Sequence, residues 1–193
     1  MIIGITGASG AGKSIAASVF GENGFYVIDL DKTAHSIYEK SAACVDEVAQ
    51  SFGKEILGAD GKIIRKKLGE IVFADAEKLG ILNKITHKYI LKEVFAEISG
   101  KDRVVLDAPL LFEAGLDKKC SLTLGILSEK STKSARITAR DNVSEEYAKN
   151  RLARQNDDLF FEENCDFCIR NDGDIDEFKN KIRLFIKNEV NKK

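Results

Sequence analysis

The sequence is poor in residues that interrupt or cross-link a chain. Its 193 residues include one proline, four cysteines, one methionine and no tryptophan. Four cysteines in this length do not make a disulfide scaffold, so we expect reduced thiols. No apolar run approaches the ~20 residues that cross a bilayer. The apolar residues 1–6 carry no basic residue and run into glycines, so we expect no secretory signal and place the protein in the cytoplasm.

An excess of charge of either sign is also missing. The chain has 30 Lys and Arg against 31 Asp and Glu, a net charge of -1. This balance gives no electrostatic footprint for nucleic acid or for an anionic membrane. With 44% hydrophobic and 32% charged residues, the composition predicts one globular domain that binds neither.

Five apolar runs predict β-strands. They lack clean alternation, which is typical of parallel strands covered on both faces, and helical patterns separate them. The sequence therefore predicts an α/β fold with an open parallel sheet. The runs are residues 2–6, 25–28, 104–106, 122–127 and 167–169.

Two longer segments interrupt this alternation. Residues 33–99 are mostly helical, with a break near 53–62 and a turn at Gly58-Ala-Asp60-Gly61, and residues 130–156 form a basic helix pair. The remaining residues, 1–32, 100–129 and 157–193, form the core of a single domain. Shorter helices are predicted over 13–21 and 174–188. Active sites in such folds lie beyond the carboxyl ends of the strands, and both insertions leave from there.

A glycine-rich motif follows the first strand. Gly7-Ala-Ser-Gly-Ala-Gly12-Lys13-Ser14 fits GxxxxGK[ST] between a strand and a helix. Its glycines let successive N–H groups point at an anion, and the helix adds its positive end. We expect Lys13 to reach the β and γ phosphates and Ser14 to ligate Mg²⁺. The motif predicts a nucleotide phosphate site.

The motif alone leaves GTPases, ATPase motors and small-molecule kinases open. Asn83-Lys84-Ile85-Thr86 lacks the aspartate of a guanine-specifying NKxD. The chain is also short for a motor with coupled domains. Small kinases instead place an acceptor between inserted helices and bring basic residues down from a lid, which favours that class.

Acidic residues follow two of the predicted strands. Asp29 and Asp31 end the second run, and alternation predicts that they face the same side. A carboxylate there can take a proton from an attacking hydroxyl or organise Mg²⁺ through water, and the alternative interpretation is a helix N-cap. Asp107 ends the third run and is a candidate for a Mg²⁺-bound water, or a turn aspartate.

The basic segment carries paired arginines. Arg136 and Arg140 share one helix face, and Arg151 and Arg154 share another. Guanidinium groups on a mobile flap suit the charge that develops on a transferring phosphoryl group. Charged helix faces are usually only solvated, and of the four we favour Arg140.

Cys165 and Cys168 form a CxxC motif. We place both in the last strand, where side chains three apart point to opposite faces, so we expect the two sulfurs to diverge. Without a second CxxC or a histidine pair, the sequence predicts no zinc site.

Several segments together resemble the dephospho-CoA kinase family over nearly the whole chain. The resemblance rests on residues 7–14, Val27-Ile28-Asp29-Leu30-Asp31, Asp107-Ala-Pro-Leu-Leu-Phe-Glu113, Arg136…Arg140-Asp141 and Asn171-Asp-Gly173. It implies a P-loop nucleotide-kinase fold, a three-layer α/β/α arrangement with strand order 2-3-1-4-5. It also implies transfer of the γ-phosphate of ATP, with Mg²⁺, to the 3′-hydroxyl of dephospho-CoA.

The resemblance also implies residue roles, carried over by position. Asp31 matches the general base, with Lys13 and Arg140 completing the catalytic set. Ser14, and Asp107 through water, match the Mg²⁺ ligands. The ATP positions are Gly10, Ala11, Gly12, Lys13, Ser14, Ile15, Arg140, Asn171 and Gly173. The acceptor positions are Asp31, Arg65, His87, Pro109, Leu110, Leu111 and Glu113.

Some features depart from the family or stay open. Lys88 follows His87 where the family usually has proline, so a helix histidine without a substrate role is an equal interpretation. A kinase of another small acceptor, such as a nucleoside or nucleotide, and a non-catalytic nucleotide-binding switch are the alternatives. The sequence leaves the oligomeric state open, with a monomer favoured.

Overall fold

A computed structural model of the chain describes residues 1–191. They form two compact units. The core unit consists of Met1–Asp29 and the chain from Gly100 onward, and the helical unit is Leu30–Ser99.

The core unit contains a five-stranded parallel sheet in the order β2-β3-β1-β4-β5. Strands β1, β3 and β4 are almost entirely buried, as expected for central strands covered on both faces. The predicted strand order is confirmed. The strands are β1 (Ile2–Thr6), β2 (Tyr26–Asp29), β3 (Val104–Asp107), β4 (Leu122–Leu127) and β5 (Phe167–Arg170).

Helices connect these strands and build the helical unit. Short 3₁₀ turns lie at Lys54–Ile56 and Asp117–Lys119, and a π-helical turn, Ile186–Val190, extends the last helix. The helices are α1 (Lys13–Glu22), α2 (Leu30–Lys40), α3 (Ala42–Phe52), α4 (Arg65–Val72), α5 (Ala76–Glu97), α6 (Lys130–Asp141), α7 (Glu145–Leu152), α8 (Asp158–Asn164) and α9 (Ile175–Phe185).

Apolar faces of α1 and α9 cover the sheet. Phe20 of α1 and Phe178 of α9 are almost fully buried with Ile5 and Leu124. The spacing of Phe178, Ile182 and Phe185 gives α9 its single buried face. Helix α8 buries Phe161 in a second cluster with Ala8 and Leu127. The central strands are therefore enclosed by packed helices, and their carboxyl ends carry the loops described below.

In the helical unit, α2, α3 and α4 all pack against the long helix α5. Between α3 and α4, Leu57 and Ile63 form an antiparallel bridge. The predicted turn lies inside it, where Gly61 N–H bonds to the Gly58 carbonyl at 3.0 Å and φ of Gly61 is +75°. Glycine suits this backbone conformation.

The structure differs from the sequence-based expectations at helix α8, at the end of strand β2 and at the CxxC motif. Helix α8 was not predicted, because it has only seven residues and its sequence is mostly polar. Strand β2 ends at Asp29 and α2 begins at the next residue, so strand alternation does not reach Asp31. The strand alternation from which we predicted the orientation of Asp29 and Asp31 therefore does not apply to Asp31.

The prediction that the sulfurs of Cys165 and Cys168 diverge is wrong. Cys165 ends α8 and precedes β5, so the two cysteines do not follow strand alternation. Both sulfurs lie beside Gly125 of β4: a Cβ built there is 2.8 Å from Cys168 Sγ and 3.1 Å from Cys165 Sγ. Burial, and then the neighbouring thiol, raise the pKa of Cys165 to about 12. The described cysteines are free thiols.

Among residues 1–191, no helix combines the length and the hydropathy that crossing a bilayer requires.

Candidate active site

The phosphate loop, residues 7–14, joins β1 to α1 at the carboxyl edge of the sheet. Gly7, Gly10 and Gly12 have φ of 140°, 78° and 112°, which side chains rarely allow. Each also lacks room for a Cβ: one on Gly7 would collide with the carbonyl of Ile126, and one on Gly12 with the amide of Asn171. The glycine spacing is therefore required by backbone geometry and by close packing.

Lys13 crosses the beginning of this loop. Its ammonium group donates to the carbonyls of Gly7 at 2.8 Å and Ala8 at 3.1 Å. The cation is thus held at the loop, where it can meet phosphate oxygens. The first turn of α1 presents its N–H groups to the same place.

Side chains from distant parts of the chain hold the rest of the loop. Gln155 bonds to Ser9 at both its amide oxygen and its amide nitrogen. Arg136 Nη1 donates to the Gly10 carbonyl at 3.3 Å.

Asn171 completes this series at the next loop residue. Its Nδ2 donates to the Ala11 carbonyl at 2.7 Å. Every loop residue from Gly7 to Ala11 is therefore bonded by a side chain. This arrangement fixes the loop before a nucleotide arrives.

The observed contacts of the Asn171 side chain differ from the adenine contact that the resemblance implies. It follows β5 and is only 3% exposed, and its Oδ1 lies 3.5 Å from Arg136 Nη2. Its amide group is engaged by the phosphate loop. Gly173, two residues later, is exposed, so an adenine contact at this turn stays a prediction for Gly173.

Asp172, the residue after Asn171, bonds to the two residues that precede the lid, the segment of residues 130–156. Its Oδ1 accepts hydrogen bonds from Ser128 Oγ at 2.8 Å and from the Glu129 N–H at 2.7 Å. Partial burial raises the pKa of Asp172, but these two hydrogen bonds and the charges of Arg170 and Arg136 together outweigh it, and the pKa lies below its usual value.

Oxygen donors lie at this edge of the sheet. Ser14 is exposed in the first turn of α1, whereas the side chain of Ile15 packs into the core. Asp107 ends β3, is 7% exposed, and is in register with Ile5 of β1 and Asp29 of β2. A hydroxyl and a carboxylate are the hard oxygen ligands that Mg²⁺ accepts. Within residues 1–191, no cluster of three or more His, Cys, Asp or Glu side chains forms a metal site by itself.

Asp31 lies in the helical unit, in the first turn of α2, and is exposed. Its carboxylate is at the positive end of that helix, which favours a negative charge. The chain reaches it two residues after the end of β2.

The segment Pro109–Glu113 follows β3 in the core unit. Leu110 is 56% exposed and Leu111 is fully buried, against Gly4, whose added Cβ would be 2.8 Å from the leucine. Leu111 therefore packs in the core rather than facing an acceptor. The Pro109 carbonyl accepts a hydrogen bond from Thr6, and Glu113 Oε1 accepts one from Asn156 at 2.9 Å.

The helical unit carries the two remaining acceptor candidates. Arg65 begins α4, donates to the His35 carbonyl at 2.5 Å and lies 5.4 Å from the centre of the Tyr38 ring. It lines a cavity of about 570 Å³ with Tyr38 and Lys62. His87 is half-buried in α5, which continues through Lys88 without a break.

The lid, residues 130–156, contains α6 and α7. At the end of α6, both hydrogen bonds of the Arg140 guanidinium go to Asp141, at 2.7 and 2.9 Å. The bond from Arg140, outweighing a small effect of burial, lowers the pKa of Asp141, and Arg151 binds the same carboxylate. Arg136, one turn earlier, instead contacts the phosphate loop. Of the two arginines on that face, the structure brings Arg136 to the loop.

Sequence reasoning missed Gln155 altogether and gave Arg136 no specific role. Neither lies in a motif whose spacing indicates a loop contact. A cavity of about 770 Å³ lies between the lid helices, Ala8 of the loop and Phe160.

A five-stranded parallel sheet in the order 2-3-1-4-5, with a GxxxxGK[ST] loop between its central strand and the first helix, defines a P-loop kinase fold. Comparison with known proteins narrows this class. The sequence model of the family described as dephospho-CoA kinase matches residues 1–177. A dephospho-CoA kinase from Fusobacterium nucleatum is 37% identical over 188 residues, 96% of each chain.

Two solved structures are similar over nearly their full length. A dephospho-CoA kinase from Campylobacter jejuni has 30% identity and a TM-score of 0.70, and the match covers 99% of this chain and 97% of that one. A Thermus thermophilus protein has 27% identity and a TM-score of 0.81, with coverage of 98% and 97%. The chain therefore belongs to the dephospho-CoA kinase family.

Proposed function

We propose that this protein transfers the γ-phosphate of ATP to the 3′-hydroxyl of dephospho-CoA, giving CoA and ADP in the cytoplasm. The observation that carries the proposal is the phosphate loop, whose residues from Gly7 to Ala11 are each bonded by a side chain, in a chain of this family. Phosphoryl transfer depends mainly on positioning and on charge neutralisation, and a braced loop supplies the first.

Lys13 and the N-terminus of α1 supply the positive charge for the triphosphate. In the family role, the ammonium group moves from the loop carbonyls to the β and γ phosphates. Ser14, and Asp107 through water, would hold Mg²⁺, which when bound neutralises charge on the β and γ phosphate oxygens. The resemblance also implies that the backbone of residues 10–15 binds ATP. The N–H groups in the first turn of α1 suit that role.

Asp31 is the proposed general base. It accepts the proton of the 3′-hydroxyl while that oxygen forms a bond to the γ phosphorus. The bond between the γ phosphorus and the β–γ bridging oxygen breaks, and ADP leaves with that oxygen. Asp31 is exposed in the first turn of its helix, which leaves the carboxylate accessible to a substrate.

Each unit carries its own candidates for acceptor binding. In the core unit they are Pro109, Leu110 and Glu113. In the helical unit they are Arg65 and His87. Arg65 is the stronger of the last two, because it lines a cavity beside an aromatic ring and an arginine suits a phosphate.

Arg140 is proposed to reach the transferring phosphate when the lid closes. It is 60% exposed and sits on the carboxylate of Asp141. Because exposed ion pairs contribute little free energy, exchanging that carboxylate for a phosphate requires no costly step.

An acceptor panel tests the function. Purified protein with ATP and Mg²⁺ should release ADP at a rate that rises strongly with dephospho-CoA and little with nucleosides or nucleotides. Lys13→Ala is the control, and should lose most of that activity. A preference for a nucleoside would favour the alternative kinase, and release that ignores every acceptor would favour a nucleotide-binding switch.

A further inference from the structure

Two adjacent amide side chains join the lid to different parts of the core unit. Gln155 Oε1 accepts a hydrogen bond from the Ser9 N–H at 2.9 Å, and its Nε2 donates to Ser9 Oγ at 3.0 Å. The next residue, Asn156, donates from Nδ2 to Glu113 Oε1 at 2.9 Å. One amide therefore holds the phosphate loop and the other holds the segment Pro109–Glu113.

Ser9 is held in the loop by a side chain from a distant part of the chain. It lies between Gly7 and Gly10, whose positive φ values leave the backbone many alternatives when unrestrained. Gln155 is 146 residues away in sequence and bonds both the backbone and the side chain of Ser9. Such a pair fixes the orientation of the peptide as well as its position.

The amides are attached firmly to α7. The Gln155 N–H bonds to the Leu152 carbonyl at 3.1 Å, and the Arg154 N–H bonds to the Arg151 carbonyl at 3.4 Å. A displacement of α7 therefore reaches Gln155 through these hydrogen bonds, and Asn156 follows as the next residue in the chain.

We propose that Gln155 and Asn156 are positioning residues that connect the lid separately to the two substrates. Gln155 fixes the apex of the phosphate loop for ATP, and Asn156 fixes Glu113 for the acceptor. The assignment rests on the proposed function, because it takes Pro109–Glu113 as an acceptor contact. The proposal predicts that replacing Gln155 changes KM for ATP, whereas replacing Asn156 changes KM for dephospho-CoA.

Steady-state kinetics with each substrate varied in turn test this division. Gln155→Ala removes two neutral hydrogen bonds and should raise KM for ATP about 5- to 10-fold, with KM for dephospho-CoA within about 2-fold of wild type. Asn156→Ala removes one bond and should raise KM for dephospho-CoA about 3- to 5-fold, with KM for ATP unchanged. Asn150→Ala deletes an exposed amide on α7 that bonds to nothing in the described chain, and should change neither.

Two further variants separate positioning from general stability. In Gln155→Glu, the carboxylate still accepts from the Ser9 N–H and can also accept from the Ser9 hydroxyl. It places a negative charge beside the triphosphate. It should raise KM for ATP more than Gln155→Ala does, at an unchanged Tm. In a double-mutant cycle, Ser9→Ala should cost less in the Gln155→Ala background than in wild type.

The outcomes are distinct. Selective effects on ATP for Gln155 and on the acceptor for Asn156 support the proposal. Equal changes in both Michaelis constants, or a Gln155→Glu variant that behaves like wild type, overturn it. If the wild-type protein releases no ADP in response to dephospho-CoA, the proposed function fails instead, and ATP affinity measured by calorimetry still tests Gln155.

Discussion

Replacing Asn171 by alanine removes the most deeply buried contact to the phosphate loop. Its Nδ2 lies 2.7 Å from the Ala11 carbonyl, and Ala11 is fully buried. The backbone bonds of residue 171, to the Leu127 carbonyl at 2.8 Å and from Ser128 Oγ at 3.1 Å, do not involve the side chain and should persist. The substitution therefore removes this hydrogen bond, the longer contact of 3.5 Å between Arg136 Nη2 and Asn171 Oδ1, and the small space that the amide fills.

The magnitude follows from the burial of the acceptor. A buried carbonyl left without its donor costs about 1–3 kcal/mol. For a chain of this size each kcal/mol lowers Tm by about 2–4 °C, so Asn171→Ala should lower Tm by about 4–8 °C if the loss is near 2 kcal/mol. Asn171→Asp keeps the shape but sets an oxygen against the Ala11 carbonyl, and should lower Tm at least as much.

Calorimetric titrations with ATP and GTP complete the assay. Because Asn171 acts on the loop, its loss should weaken both nucleotides by the same factor. A residue that reads the adenine ring would weaken ATP more than GTP. A Tm within 1 °C of wild type, or a change confined to ATP, would refute the role of a loop contact.

Three other predictions concern the base, the lid and the thiols. Asp31→Asn should lower kcat about 10²- to 10⁴-fold and spare the Kd of ATP, and wild-type turnover would contradict the role. Arg136→Ala should lower Tm and ATP affinity, whereas Arg140→Ala should leave Tm within about 1 °C and lower kcat; identical effects would contradict the distinction. Native thiols should resist alkylation at pH 8, and urea-measured stability should fall as pH rises from about 9 through their folded pKa values. Those values are about 11 for Cys44 and about 12 for Cys120 and Cys165. Rapid alkylation of the folded protein would contradict these raised pKa values.

The strands and the phosphate loop were predictable because local sequence determines them. The runs in β1 and β4 contain no charged residue and are buried at almost every position, and both strands have the predicted bounds. The loop motif fixes its own glycines, since each must accept a positive φ. The family resemblance supplied the strand order, which periodicity alone does not encode.

Side-chain partners were not predictable, because they depend on where distant segments meet. Nothing near Gln155 indicates a contact with Ser9. Arg136 and Arg140 share one face of the sequence pattern, yet one reaches Gly10 and the other pairs with Asp141. Asp141 follows Arg140 directly in the sequence, and this adjacency alone indicates that its carboxylate competes with a phosphate for the guanidinium group.

Transfer of labelled phosphate tests the central claim most directly. ATP carrying ³²P at the γ position is incubated with the protein, Mg²⁺ and dephospho-CoA, and the products are separated. The account predicts that the label appears in CoA at the 3′-position, in equal amount to the ADP formed, and only while Lys13 is intact. Label recovered as inorganic phosphate, or in no product at all, would contradict it.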